Sequence, residues 1–249
     1  FRSKNRRRIT CGDQLRIVLA GTSCDFRNYC ASPCLLNTSP SEPAAMTEHS
    51  PNLPPDRRGI ARDAITAIIL AGGAGSRLGG IDKAWAVWRG RPLVEHVIER
   101  MRPQVGSIVV SANRHVDRYR HLNVAVVRDL TGEFSGPLAG VRAAWVQCRT
   151  PWVMIVPVDA PQIAENFVSC LAEVAQRCPD ERTIVACDAS GPQPLFCLMH
   201  RNDYPALLRY WLHGGRSMID WLGTIGAVHC RMDAHTGCFQ NLNTWDDFL

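Results

Sequence analysis

The stretch Ile68-Ile69-Leu70-Ala71-Gly72-Gly73-Ala74-Gly75-Ser76-Arg77-Leu78-Gly79-Gly80-Ile81-Asp82-Lys83 holds the clearest chemistry in the chain. An apolar run stops at a loop with five glycines, one arginine and a closing lysine. Lys83 is the only lysine after Lys4. A buried strand feeding a glycine-rich loop can bring backbone N–H groups against phosphate oxygens. Glycine matters there because a residue without Cβ lets the backbone approach closely and take a positive φ. A plain structural turn is the other reading. Two familiar phosphate loops do not fit. The Walker pattern needs Gly-Lys followed by Ser or Thr, whereas Lys83 lies between Asp82 and Ala84. The dinucleotide fingerprint G-x-G-x-x-G fails because Gly79 comes one position late.

A second group of residues closes other strand-like runs. Trp152-Val153-Met154-Ile155-Val156-Pro157-Val158-Asp159-Ala160-Pro161 is apolar until a single acid between two prolines. A carboxylate at such a strand end, facing a phosphate loop, can hold Mg²⁺. It can equally cap the next helix. Asp129 ends Val127-Arg128-Asp129, where a turn-forming carboxylate is the bland alternative. Ser111-Ala112-Asn113-Arg114 ends a third strand. Asn241 and Asn243 suit a capped turn before a last helix, a role compatible with ligand contact. His200 and His213 are expected to satisfy local backbone groups.

The whole string L-A-G-G-x-G-x-R-L-G-G-x-D-K resembles the signature loop of the molybdenum cofactor guanylyltransferases, which make molybdopterin guanine dinucleotide. They belong to the nucleotidyltransferases with an A-type glycosyltransferase-like fold. Ser135-Gly136-Pro137-Leu138-Ala139-Gly140, the P-x-D-x-P segment around Asp159 and Asn241-Leu242-Asn243-Thr244 come in the family's order, and the likeness runs from about Ala64 to Leu249. The resemblance implies transfer of GMP from GTP to molybdenum-molybdopterin, with release of pyrophosphate. It implies Mg²⁺ on Asp159, with Arg77 and Lys83 on the leaving pyrophosphate. The N–H groups of Gly72, Gly73 and Gly75 would cover the triphosphate, and Leu70, Ala71 and Gly72 would offer backbone groups to guanine. Asn113 and Asp129 would contact GTP. Gln193-Pro194-Leu195, Arg216-Ser217-Met218 and the stretch from Phe239 to Thr244, with Asn241 and Asn243, would receive molybdopterin.

The chain departs from the family pattern at four places. Ser111 stands where the first asparagine of N-A-N-R is common, which puts a base contact there in doubt, because a hydroxyl cannot offer the two-sided pair of an amide. Val158 replaces a common cysteine, Gln193 a frequent histidine, and Trp245 a proline. Alternatives within the same chemistry are a cytidylyltransferase on the same pterin and a sugar-phosphate nucleotidyltransferase. A pterin-binding chaperone that kept the fold is the non-enzyme alternative. Molybdoenzyme-maturation proteins are further expected partners.

The elements that must position these residues alternate. Strand-like runs are Ala64–Leu70, Ser107–Ala112, Val124–Arg128, Trp152–Val158, Thr183–Cys187, Pro194–His200 and Ala227–Met232. Helix-like stretches lie between them: Leu93–Met101 behind a first-turn Pro92, Leu138–Cys148, Ile163–Arg177 and Tyr204–His213. Alternation of this kind predicts a three-layer α/β/α Rossmann-like domain, of nucleotide-diphospho-sugar transferase type by the resemblance, on a mainly parallel central sheet. Ligands in such sheets collect at the C-terminal strand ends.

Composition bounds the rest. The 249 residues suffice for one sizeable core. The net charge of +5 is concentrated early: residues 1–63 hold ten Lys/Arg against six Asp/Glu, and the remainder 18 against 17. A nearly neutral domain gives no reason to expect nucleic-acid binding. No run of about 18 apolar residues suggests a membrane span. The 11 cysteines, with no C-x-x-C pair, are expected to be reduced thiols of a cytoplasmic protein. Residues 1–63, with Arg6-Arg7-Arg8 and a Ser/Pro-rich stretch, are expected to be a disordered extension without function, ahead of a nucleotidyltransferase domain at 64–249.

Overall fold

The computed structural model describes the backbone of residues 17–18 and residues 59–73, 80–129, 136–178, 180, 182–232 and 237–248. Its centre is β2 (Ile65–Leu70), six residues of which five are fully buried. A strand covered on both faces needs no polar alternation, which is why ITAIIL reads as a continuous apolar run. β5 (Ser107–Ser111) and β7 (Trp152–Pro157) flank it, both parallel. β6 (Ala125–Val127) continues the sheet beyond β5, also parallel.

On the other side of β7 the order runs β9 (Gly191–His200), β8 (Ile184–Asp188), β10 (Val228–Arg231) and β1 (Ile17–Val18). Here the parallel pattern breaks. β9 lies antiparallel to both β7 and β8. Only two residues, Ala189 and Ser190, join β8 to β9, and so short a connection can make a hairpin but not a parallel crossover. The strand expected at Pro194–His200 therefore starts earlier, at Gly191.

Helices cover both faces, as a three-layer fold requires. α1 (Leu93–Met101) and α3 (Phe167–Arg177) bury Val94, Val97, Ile98, Phe167 and Leu171 against Ile69, Met154 and Val156. α2 (Pro137–Trp145), α4 (Tyr204–Leu212) and α5 (Met218–Thr224) bury Leu138, Val141, Leu207 and Trp221 against Ile68, Val153 and Ile155. Alternate residues of β2 and β7 thus feed opposite cores. A small hairpin, β3 (Val87–Trp88) and β4 (Arg91–Pro92), leads into α1. It was not expected, and neither was α5, whose seven residues begin at a Ser217 cap. Among the described residues no helix is long and apolar enough to cross a membrane.

Two stretches of the expected extension make contacts with the domain. Ile17–Val18 pairs antiparallel with β10. Ile60 packs against the α1–α3 core, and Arg62 donates to the carbonyls of Val105 at 2.9 Å and Arg102 at 3.1 Å. Residues 59–63 therefore pack with the domain expected from residue 64 onward. The seven described cysteines are free thiols. Burial pushes Cys148 and Cys230 up to about 12, so both are inert at neutral pH.

Candidate active site

The parallel register of β2 brings three loops to one place. Leu70 sits opposite Ser111 of β5 and Pro157 of β7. The pairing extends one step past the strands: Ala71 N donates to Ser111 O at 2.8 Å, and Val158 N to Leu70 O at 3.0 Å. The glycine-rich loop, the segment after β5 and the segment after β7 thus leave the sheet side by side. Arg77 and Gly75 lie outside the described residues; Leu70, Ala71, Gly72 and Gly73 lead into the loop, and Gly80, with φ 79°, leads out of it.

Lys83 is the meeting point. Its Nζ donates to Asp159 Oδ2 at 2.6 Å and to Asn243 Oδ1 at 2.7 Å. Two other sequence motifs, 76 and 160 residues from Lys83, converge on its ammonium. A backbone bond from Leu242 N to Asp159 O, at 2.9 Å, fixes the C-terminal segment against the end of β7. The Lys83 and Asp159 side chains are mostly buried, at 15% and 18% exposure. Asp159 does not cap a helix through its side chain, since α3 starts only at Phe167 behind Asn166.

Two oxygens here are buried without a hydrogen-bond partner: Asp159 Oδ1 and Asn241 Oδ1. A buried acceptor left open is costly unless something else binds it. Asp159 Oδ1 therefore fits a hard divalent cation, a group that accepts one protein carboxylate and completes its shell with phosphate oxygens and water. No cluster of three or more His, Cys, Asp or Glu exists among the described residues that could cage a metal alone.

The other expected residues divide. Asn113 belongs to the site: its Oδ1 accepts from Asp129 N at 2.9 Å, and its amide nitrogen would lie 3.4 Å from a Cβ placed on Gly72. Asp129 is held at the same strand ends through that bond. Ser111 contributes its carbonyl, but its hydroxyl is buried under α2, 2.8 Å from where a Cβ on Gly140 would be. Met218 and Phe239 are core residues, and Ser217 Oγ caps α5 by accepting from Asp220 N. Gln193 donates to Ser190 Oγ at 3.2 Å on the β8–β9 hairpin. The Arg216 guanidinium stacks on Trp211, 3.8 Å from the ring centre, with Arg142 also over that ring at 4.4 Å. As expected, His213 serves its own helix, donating from Nδ1 to Arg209 O at 2.8 Å.

Sequence reasoning assigned no role to Asp82, His115 or Asp247. Asp82 is buried, and its side chain caps the short 3-10 turn Lys83–Trp85. An acid directly before a lone lysine could have been read as such a cap. Asp247 accepts from the backbone N–H groups of Asn243 and Thr244, at 2.8 and 2.7 Å, and from the Thr244 hydroxyl at 3.0 Å. These bonds hold its carboxyl below the ordinary carboxylate value.

A glycine-rich segment after β2, a carboxylate after β7 and an asparagine turn are thus joined by one lysine. Residues 67–226 match the MobA-like NTP transferase domain family. The chain belongs to that family. A molybdenum cofactor guanylyltransferase of Cupriavidus taiwanensis is 38% identical over 192 residues, spanning 76% of this chain and 96% of its own. Among solved structures of this fold, molybdopterin-guanine dinucleotide biosynthesis protein A from Archaeoglobus fulgidus superposes with a TM-score of 0.61 at 22% identity, covering 74% of this chain and 94% of its own. A Mycobacterium tuberculosis protein in complex with manganese does so at 0.57 and 20% identity, covering 74% and 95%.

Proposed function

We propose that this MobA-like protein transfers GMP from GTP to molybdenum-molybdopterin, giving molybdopterin guanine dinucleotide and pyrophosphate. The observation that carries the reading is the Lys83 bridge between Asp159 and Asn243, at the exit of the glycine-rich loop. Relatives named molybdenum cofactor guanylyltransferase, 38% identical over most of their length, support the choice of substrates.

The reaction moves one phosphoryl centre. A terminal phosphate oxygen of the pterin attacks the α-phosphorus of GTP, and the bond to the bridging oxygen of pyrophosphate breaks. The protein supplies position and charge rather than covalent chemistry. An ammonium has three donors, and two of Lys83's are directed to Asp159 and Asn243. The third is left for a phosphate oxygen. The N–H groups from Gly72 onward cover the triphosphate, and Arg77 adds a guanidinium fork. Asn113, beside Gly72, and Asp129, bonded to it, serve the nucleoside, and Asn241 and Asn243 serve the pterin side. Asp159 would hold Mg²⁺ through its open Oδ1. That ion would neutralise charge on the reacting phosphates. The manganese in the Mycobacterium tuberculosis relative supports a divalent ion in this fold. The protein acts in the cytoplasm, where its thiols stay reduced.

The test is incubation with molybdopterin, Mg²⁺ and each nucleoside triphosphate in turn, with mass analysis of the pterin. Dinucleotide from GTP, with little from ATP or CTP, is the expected result. Equal product from CTP would move the assignment to the cytidylyl branch. Pterin binding without product from any nucleotide would identify a carrier that kept the fold.

A further inference from the structure

The segment after β5 grips both ends of the glycine-rich loop. At the entrance, Ser111 O accepts from Ala71 N, and the Asn113 amide lies against Gly72. At the exit, Arg114 Nη1 donates to Gly80 O at 3.0 Å, and His115 Nδ1 lies 2.9 Å from Asp82 Oδ2. Asp82 is only 8% exposed. Its other oxygen accepts from Ala84 N at 3.2 Å, inside the turn that begins at Lys83. One carboxylate therefore joins His115 on one side to the lysine-bearing turn on the other.

His115 makes this contact from a left-handed backbone, φ 46° and ψ 37°, which side chains with a Cβ rarely adopt. The conformation starts the 3-10 stretch Val116–Leu122, yet the ring makes no cap bond to it. The ring's polar contact is Asp82 instead, on the far side of the glycine-rich loop in sequence.

We propose that His115 is a positioning residue for Lys83, acting through Asp82. With the proton on Nδ1, the ring donates to Asp82 Oδ2 and completes that acid's hydrogen bonding. Without the ring, Oδ2 is an acceptor short of a partner in a buried place. The relief open to Asp82 is rotation, which releases the Ala84 N–H and loosens the turn. Lys83 then loses the registration that its contacts of 2.6 and 2.7 Å require. A displacement of about 1 Å in a group that orients a reacting phosphate can lower a rate on the order of 100-fold.

The inference rests on the nucleotidyl-transfer reading, so its test needs a readout that does not depend on turnover. Lys83 supplies one, being the only lysine after Lys4. Its acylation by an N-hydroxysuccinimide ester can be measured by peptide mass on the full chain. His115→Gly removes the ring and keeps the left-handed backbone free of strain. His115→Asn tolerates that backbone and offers an amide donor near the place of Nδ1. In His115→Gly, Lys83 acylation is expected to speed up and kcat with GTP to fall, each by about tenfold, a usual coupling between contacting groups. His115→Asn is expected to return both most of the way. Unchanged Lys83 acylation in His115→Gly overturns the proposal. So does a His115→Asn protein as impaired as His115→Gly, because the donor then does not matter. A wild-type protein that makes no dinucleotide defeats the functional reading, while the acylation rates still decide the role of His115.

Discussion

Lys83 Nζ lies 2.6 Å from Asp159 Oδ2, and the same carboxylate keeps its other oxygen buried and open. The two oxygens differ: one accepts from the lysine, and the other is open to the divalent cation proposed above. Asp159→Asn keeps the volume but removes the charge. Its rate of pyrophosphate release is expected to fall about 100-fold or more, since metal-supplied charge stabilisation is worth several kcal/mol. Its melting temperature should move little. Lys83→Ala is expected to raise KM for GTP as well as lower kcat, because an ammonium on phosphate acts in both ground and transition states. Initial rates at varied GTP, set beside thermal melts, separate the two. An Asp159→Asn protein with most of its Mg²⁺-dependent rate would refute the assignment.

The contacts of residues 59–63 give a second prediction. Ile60 packs on the core and Arg62 binds two carbonyls, so residues 59–63 are part of the fold. A chain beginning at Gly59 keeps these contacts and loses only the two-residue pairing of Ile17–Val18 with β10, so it is expected to melt slightly below the full protein. A chain beginning at Ala64 should be less stable by about 1–3 kcal/mol, for two partly exposed hydrogen bonds and one half-buried side chain. Denaturant midpoints of the two truncations measure the difference, and equal midpoints would return the boundary to residue 64.

Much of this architecture was legible because its cause is local. β2 and β7 are buried on both faces, so their apolar runs are long and end sharply, and the site begins where each run stops. The antiparallel β9 was not legible from hydrophobicity, since a buried strand reads alike in either direction. Only the two-residue link at Ala189-Ser190 carries that information. Resemblance named Lys83, Asp159 and Asn243 separately, but their contact spans 160 residues and no spacing rule reaches so far. Ser111 stands where the resembling family has an asparagine, and the pleat turns its hydroxyl towards Gly140, a packing that no residue type announces.

That contact between α2 and β5 can be tested directly. A Cβ on Gly140 would meet Ser111 Oγ at 2.8 Å and Leu70 Cδ2 at 3.0 Å. Gly140→Ala is therefore expected to lower stability by about 1–3 kcal/mol, the usual cost of overpacking, despite alanine's better helix propensity. Adding Ser111→Ala removes one of the two obstacles. The double variant should then recover part of the loss, and urea titrations of the four proteins give the coupling. Additive effects would show that α2 accommodates the methyl group by moving instead.

The asparagine turn yields a pH prediction with a definite sign. Thr244 N, Asn243 N and the Thr244 hydroxyl hold the Asp247 carboxyl below its ordinary value of 3.8. A carboxyl with a depressed folded pKa adds stability that is fully present above its unfolded value. That stability is lost as pH falls through the lower, folded value. Asp247→Asn retains an acceptor but not the charge, and charge-assisted bonds are the stronger kind. The variant is therefore expected to unfold at lower urea than wild type at neutral pH. The gap should close as pH drops below 3.8, where wild type loses its charge too. The same turn holds Asn243 on Lys83, so the Asp247→Asn enzyme should also show a reduced kcat at neutral pH. A stability gap that stays constant into acid would mean that Asp247 does not fasten this turn through its charge.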